Sequence, residues 1–248
     1  MTKPNFDIQS EWADRVQTPA EVGDQFLNAI DRLSRLHPSF CNWGTSNDDN
    51  TPAGQPLEPL RKNFAAYVQS QVERDDWDQL DPDSGYTLWA ANAYKPFAPP
   101  SPNSISLLVT AGAKWRNHYN LEAGSNYCPP NPKLISYPVF KAALLTLISI
   151  WPAPWANTRA YFWGGKNPPL PDGSAFPYSG FKMPWIAYLS RERAADLKPS
   201  PNVVCEVTPD GGLLMIAAEA RFDPGNATHL TSSAEIARIM IDRSGRTP

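Results

Sequence analysis

Three histidines and three cysteines are the residues of this 248-residue chain best suited to bind a metal ion or to act as nucleophiles. They are His37, His118, His229, Cys41, Cys128 and Cys205. Zinc sites use ligands at short, regular spacing or ligands that the fold gathers, and these residues show no such spacing. We therefore expect ordinary histidines, thiols in a reducing compartment rather than disulfides, and no bound metal or cofactor.

Motifs for nucleophilic or nucleotide-dependent catalysis are also missing from the sequence. A nucleophile elbow needs Gly-x-Ser-x-Gly, whereas the pairs Gly124-Ser125 and Gly173-Ser174 lack the following glycine. The chain has neither a phosphate-binding P-loop nor a GxGxxG dinucleotide motif. We therefore expect a protein that is not an enzyme and that needs no small-molecule ligand.

One pair of acidic residues suggests an alternative function, hydrolysis with a metal ion. Pro209-Asp210 followed by Glu219-Ala220-Arg221 loosely resembles the Pro-Asp and Glu-x-Lys signature of metal-dependent nucleases. If Asp210 occupies a hairpin turn, an extended strand puts Glu219 about 30 Å away, too far for both carboxylates to bind one ion. Arg221 also stands where the signature has lysine. We favour a turn aspartate and a strand-end glutamate, and keep the hydrolase as the alternative.

A strongly acidic segment points to a protein partner instead. Residues 73–83 carry a local charge of about −5, with Trp77 among the carboxylates. The carboxylates are those of Glu73, Asp75, Asp76, Asp78, Asp81 and Asp83. Such charges speed the encounter with a basic surface, and an exposed aromatic ring contributes contact energy once bound. The alternative is a solvated helix end with Trp77 folded back onto the core.

A second tryptophan could extend this negative surface. Nine tryptophans are many for this length, and four fall in segments with loop composition: Trp43, Trp77, Trp115 and Trp155. Most tryptophans should pack inward, because aromatic side chains bury large areas. Asp48 and Asp49 follow Trp43 closely, and they would enlarge the surface if the fold brings these loops together.

The overall charge and hydropathy exclude several classes of partner. The formal charge is −3, so no overall positive field attracts nucleic acid or anionic membranes. The first residues are polar where a secretory signal needs an apolar stretch, and no segment approaches the roughly 20 apolar residues of a membrane span. We expect a cytoplasmic protein that binds neither nucleic acid directly nor a membrane.

Helices should position these residues at several points of the chain. Thr18-Pro19-Ala20-Glu21 is a capping box, and apolar residues follow at helical spacing as far as Leu33. Further helices are predicted over residues 60–72, over residues 136–150 as a buried helix, after Ser190, and from a second capping box at residues 232–235.

Strand signals alternate with the helices. Residues 86–94 and 104–113 predict paired antiparallel strands, and residues 202–208 and 213–220 predict a hairpin whose glycines tolerate positive φ. Shorter strands are predicted near residues 6–8, 159–163 and 185–189, and residues 114–132 are predicted to be a loop. This order indicates an α+β fold, an antiparallel sheet with helices packed against it, in one domain over residues 1–248. A subdivision near residue 130 is the alternative, because proline-rich loops can serve as linkers.

The order of the aromatic landmarks resembles that of a known family. An early helix is followed by the tryptophan of SFCNW, the segments GYTLWAANA, SISLLVTAGA and WIAYL, and the hairpin VTPDGGLLM. Over nearly its whole length the chain resembles the immunity protein 52 family of bacterial polymorphic toxin systems. It is similar in particular to the immunity proteins that accompany type VI secretion effectors with a restriction-endonuclease-like toxin domain.

The resemblance implies a cytoplasmic protein that protects its producer, or a sister cell, by binding a cognate toxin that is a basic DNase effector. It supplies no catalytic residue. A DNase presents a basic face, which an acidic inhibitor could occupy or cover. Binding elsewhere, with distortion of the toxin or blocked self-assembly, is the alternative mode, and a ligand pocket lined by aromatic side chains is a further hypothesis.

Overall fold

Ten strands form one antiparallel sheet in the computed structural model, which describes residues 4–45, 54–74, 77, 79–93, 101–124, 128–162, 167–177 and 182–244. The strands are β1 (Asn5–Trp12), β2 (Gly44–Thr45), β3 (Gln55–Pro56), β4 (Tyr86–Ala91), β5 (Ile105–Ala111), β6 (Asn117–Ala123), β7 (Trp155–Tyr161), β8 (Met183–Leu189), β9 (Val204–Val207) and β10 (Leu213–Ile216). Their order in the sheet is β3-β2-β4-β5-β6-β1-β7-β8-β10-β9. The N-terminal strand thus lies in the middle, where β6 and β7 flank it.

Helices pack against this sheet, which confirms the predicted α+β class. They are α1 (Pro19–Leu33), α2 (Leu57–Leu60), α3 (Phe64–Gln69), α4 (Tyr137–Ile150), α5 (Arg191–Ala194) and α6 (Ala227–Arg243). Short 3₁₀ turns occupy Pro38–Phe40, Arg61–Asn63 and Pro82–Ser84. Among the described residues, no helix combines the length and apolar character needed to cross a membrane.

The layer of α1 and α4 covers one face of the sheet. Phe6 of β1 packs edge-to-face against Phe140 of α4, with 6.2 Å between ring centroids. The guanidinium of Arg32 on α1 donates to the Ser149 hydroxyl on α4 over 2.8 Å, which ties the two helices together. Along β5 and β6 buried and half-buried residues alternate, because one face of these strands meets the core and the other is partly open to solvent.

Helix α6 lies on the opposite face, against β8 and β10. On β9, Glu206 forms an ion pair with Lys141 of α4. Burial raises the pKa of the neighbouring Cys205 thiol, and the nearby charge of Glu235 on α6 raises it further. Successive residues of a strand point to opposite faces, so α4 and α6 enclose this part of the sheet from two sides.

Local signals in the sequence define several elements correctly. Thr18 and Glu21 form the predicted capping box at the start of α1. The predicted hairpin is β9 and β10, and Gly211 in its turn has φ of 84°. Ser190 accepts the backbone N–H of Arg193 and so caps α5, as predicted.

Three predicted elements are wrong. Residues 117–123, predicted as loop, form β6 in the centre of the sheet. The helix predicted over residues 60–72 is broken into α2, a 3₁₀ turn and α3. Helix α6 begins at Ala227 with Asn226 as its cap, one and a half turns before the capping box predicted at residues 232–235.

Candidate partner-binding surface

Several connections meet at one end of the sheet. The register pairs Tyr86 at the start of β4 with Ala111 at the end of β5, and Trp12 at the end of β1 with Asn117 at the start of β6. The chain before β4, the turn between β5 and β6, and the connection from β1 to α1 therefore project from the same edge. We call residues 13–18, 73–85 and 112–116 on this edge the loop end.

The loop end carries most of the large apolar side chains that face solvent. In the described part of the chain six large hydrophobic residues are exposed, and four of them lie here: Trp77 (80%), Trp115 (74%), Val16 (72%) and Leu80 (60%). The other two, Val204 and Val207, lie on the edge strand β9. Trp77 therefore does not fold back onto the core.

Hydrogen bonds join the two ends of the acidic segment, within the residues that the structure describes. The N–H of Asp81 donates to the carbonyl of Glu73 over 2.8 Å, and Arg74 and Leu80 form an isolated β-bridge. The Asp81 carboxylate caps the 3₁₀ turn that follows, by accepting the Asp83 N–H and the Ser84 hydroxyl. The two described ends of the segment that contains Trp77 are thus hydrogen-bonded to each other.

The three connections are also bonded to one another. Lys114 donates its N–H to the Asp83 carbonyl over 2.8 Å, and its ammonium group lies 2.7 Å from the Asp83 carboxylate. The N–H of Arg15 donates to the Ala113 carbonyl over 3.1 Å. These bonds join Val16, Trp115 and the acidic segment into one surface.

Gly85 makes this close approach feasible. Its φ is +80°, and a Cβ there would lie 2.6 Å from the Ala111 carbonyl oxygen and 2.7 Å from the Ala113 nitrogen. Only glycine fits such a position without strain. The residue therefore sets how tightly the acidic segment packs on the β5–β6 turn.

Charged side chains border the exposed apolar residues. Arg116 forms an ion pair with Glu11. Burial lowers the pKa of the His118 imidazole, Arg116 lowers it further, and Glu73 opposes both effects. Glu73 thus lies near His118 of β6.

The structure places only some of the residues predicted for a partner interface at the loop end. Glu73, Trp77, Asp81 and Asp83 lie together at the loop end. Trp43 is 6% exposed, and its indole N–H donates to the Phe40 carbonyl over 2.6 Å, so we leave it out of the surface. The remaining predicted residues, Asp48, Asp49, Asp75, Asp76 and Asp78, lie outside the described residues.

The sequence prediction missed Trp115, Leu80 and Val16 as members of the surface. Leu80 lies within the predicted acidic segment but was not singled out there, whereas Trp115 and Val16 lie in connections whose neighbours in space depend on strand order, which one sequence did not reveal. The signal available for Trp115 was its position between Lys114 and Arg116, where a tryptophan flanked by two cations is unlike a core residue.

The two acids of the hydrolase alternative are not brought together. Asp210 lies in the β9–β10 turn, before Leu213, and Glu219 follows the other end of β10, so a strand of about 13 Å separates them. The Asp210 carboxylate accepts from the Tyr188 hydroxyl and the Gly212 N–H within its own turn region. In the described part of the chain no three His, Cys, Asp or Glu residues cluster as metal ligands.

Comparison with known proteins gives one match that covers nearly the whole chain. The sequence model of the family described as Immunity protein 52 matches residues 6–246. No curated protein matches this chain.

Proposed function

This chain belongs to the immunity protein 52 family and is therefore an immunity protein, and we propose that it neutralises a DNase toxin by binding it through the loop end. The toxin is proposed to be a type VI secretion effector with a restriction-endonuclease-like domain. The protein would act in the cytoplasm, where such a toxin meets the chromosome. The observation that carries the proposed surface is the joining of an acidic segment to four exposed apolar side chains by backbone hydrogen bonds.

The distribution of charge supports a basic partner. Residues 1–93 contain 15 acidic and 7 basic residues, whereas residues 94–248 contain 10 acidic and 15 basic ones. The acidic part includes two of the three connections at the loop end. An enzyme that binds DNA must present positive charge to the phosphates, so its active face is attracted to this end of the immunity protein.

The exposed aromatic side chains support a tight complex. Interface energy is concentrated in a few buried anchors, among which tryptophan is enriched, surrounded by a polar rim that excludes water. Trp77 and Trp115 are exposed, and Glu73, Asp81 and Asp83 belong to the same loop end, so the surface offers both kinds of residue. Large exposed apolar patches mark interaction sites in soluble proteins, and four of the six exposed large apolar residues that the structure describes lie at this end.

Co-expression tests the function directly. The toxin domain encoded beside this gene should stop growth and degrade plasmid DNA, and co-expression of the full chain should restore both growth and intact DNA. Absence of rescue would contradict neutralisation. If the chain restores growth but the toxin alone leaves plasmid DNA intact, the immunity role is kept and the proposed DNase activity of the toxin is wrong.

Charge reversal tests the surface. Asp75→Lys, Asp76→Lys and Asp78→Lys, made singly and together, should slow association with the toxin domain, because opposite charges steer encounter. We expect the triple variant to associate about tenfold more slowly at low salt, as for electrostatically steered pairs. Glu219→Lys is the control for each single variant, since it makes the same charge change beyond the far end of β10. Equal association rates for all variants would remove the acidic segment from the interface.

A further inference from the structure

A cleft of about 410 Å³ opens on the same edge of the sheet as the loop end. The chain that enters β7 contributes Pro152, Ala153 and Pro154 to its lining. Tyr188 at the end of β8, residues 190–192, and Asp210 in the β9–β10 turn complete the lining. The cleft therefore combines apolar residues with two carboxylates and one guanidinium.

Hydrogen bonds orient the carboxylate of Asp210. Its Oδ2 accepts the Tyr188 hydroxyl over 2.6 Å, and its Oδ1 accepts the Gly212 N–H over 3.2 Å and the Thr208 hydroxyl. Burial alone would raise the pKa of Asp210, but these hydrogen bonds lower it below its ordinary value. The group is thus a fixed negative charge at neutral pH.

Glu192 supplies the second negative charge. It lies in the first turn of α5, after the cap Ser190. Hydrogen bonds from its own backbone N–H and from the Ser190 side chain lower the pKa of Glu192. Its carboxylate is therefore ionised at neutral pH as well.

Arg191 is the basic residue of the lining, and it is packed against the turn. A Cβ added to Gly211 would lie 2.4 to 2.8 Å from atoms of the Arg191 guanidinium, so the guanidinium sits directly on the glycine backbone. This contact holds the Arg191 head group at the β9–β10 turn.

We propose that the cleft accepts a lysine or arginine side chain of the toxin. The apolar side chains of Pro152, Ala153 and Pro154 suit the methylene stem, and the carboxylates of Asp210 and Glu192 suit the cationic head. This inference rests on the proposed function, because it takes the occupant from the same basic partner. It adds an anchor site that the acidic segment does not include.

The cleft lies close enough to the loop end for one bound toxin domain to contact both. β6, β1, β7 and β8 are adjacent in the sheet, so about 14 Å separates the β5–β6 turn, with Trp115, from the end of β8, with Tyr188. A stable complex buries about 800 Å² on each partner, a patch roughly 30 Å across. A toxin domain seated on the loop end therefore reaches the cleft.

Charge variants of Glu192 test the proposal against the purified toxin domain. Glu192→Lys should raise the Kd for the toxin domain at least about tenfold, mainly through faster dissociation, and Glu192→Gln should have a smaller effect. Glu219→Lys, with the same charge change at the other end of β10, should bind like the wild type. All these side chains are exposed, so thermal unfolding should show unchanged folding.

Charge exchange identifies the occupant. Lysines and arginines on the toxin's docking face are changed to glutamate one at a time, and one such change should restore binding to Glu192→Lys while weakening binding to the wild type. Two results would contradict the proposed cleft while leaving the immunity function intact, provided that the wild-type protein protects against the toxin. One is an unchanged Kd for Glu192→Lys, and the other is that no charge change on the toxin restores binding to Glu192→Lys. A wild-type protein that neither binds nor protects would instead contradict the proposed function itself.

Discussion

Tryptophan residues in this protein serve two different purposes. Trp151 is fully buried and stacks on Trp12 with 6.3 Å between ring centroids, and Trp185 is fully buried with its indole N–H donating to the Ala218 carbonyl over 2.8 Å. Trp77 and Trp115 instead keep most of their surface in water. Burial of apolar surface stabilises by roughly 25 cal/mol for each Å² removed from water, and a ring left in solvent lacks this stabilisation. A partner that covers the ring therefore adds this free energy to binding.

Trp115→Ala should therefore weaken toxin binding without affecting the fold. We expect a loss of about 2 kcal/mol, or roughly thirtyfold in Kd, as for an aromatic residue at the centre of an interface. Calorimetric titration with the toxin domain and a thermal melt of each variant measure the two quantities. Val204→Ala is the control, because Val204 is also exposed, 46%, but pairs with Ile216 at the end of β9 that lies away from the loop end and the cleft. Equal affinity of the Trp115 and Val204 variants would place Trp115 outside the contact.

At the scale of single elements, the sequence predicts best where a local hydrogen bond decides the structure. The capping box of Thr18 and Glu21 defines the start of α1, and Gly211 defines the β9–β10 turn. Each depends on residues within four positions of one another. Such elements need no knowledge of the tertiary fold.

Elements stabilised by distant contacts are predicted poorly, and β6 is the clearest case. Its polar residues His118, Asn120 and Glu122 have low strand propensity, and they alternate with the buried Tyr119 and Leu121. The strand exists because β5 and β1 pair with it on both sides. The same dependence on strand order explains why the acidic segment could be predicted as a candidate site, while the neighbours Trp115 and Val16 could not.

The substitution Gly85→Ala should destabilise the protein, because Gly85 lies where the acidic segment packs against the β5–β6 turn. The new Cβ would meet the Ala111 carbonyl at 2.6 Å in a backbone region that favours glycine, so we expect a loss of about 3 kcal/mol of unfolding free energy. Denaturant unfolding measures this loss. Gly173→Ala is a matched control, because Gly173 has φ of +81° with no atom within 4 Å of the added Cβ, and only the conformational cost of about 1 kcal/mol should appear. Similar losses in both variants would show that the packing of Gly85 contributes little.

Charge is distributed unevenly along the chain. The residues that form β1 to β4 and α1 to α3 belong to the acidic part of the chain, residues 1–93, and those that form β5 to β10 and α4 to α6 belong to the basic part. β1 lies between β6 and β7, so the acidic part enters the centre of the sheet and also forms its β3 edge. The basic toxin proposed above should therefore approach with a preference for the loop end, where the acidic segment lies.

Ionic strength should control how fast this complex forms and hardly how fast it separates. The Debye length falls from about 14 Å to about 4 Å between 0.05 and 0.5 M salt, so steering by the acidic part is screened while apolar contacts of Trp77 and Trp115 are not. Stopped-flow mixing with the toxin domain should show association slowing by about tenfold over this range, with nearly constant dissociation. Trp115→Ala should keep the same salt dependence of association while it dissociates faster, because its ring carries no charge. Association that is equally fast at both salt concentrations would mean that charge does not guide the encounter, and the toxin would then have to recognise this protein by shape and apolar contact alone.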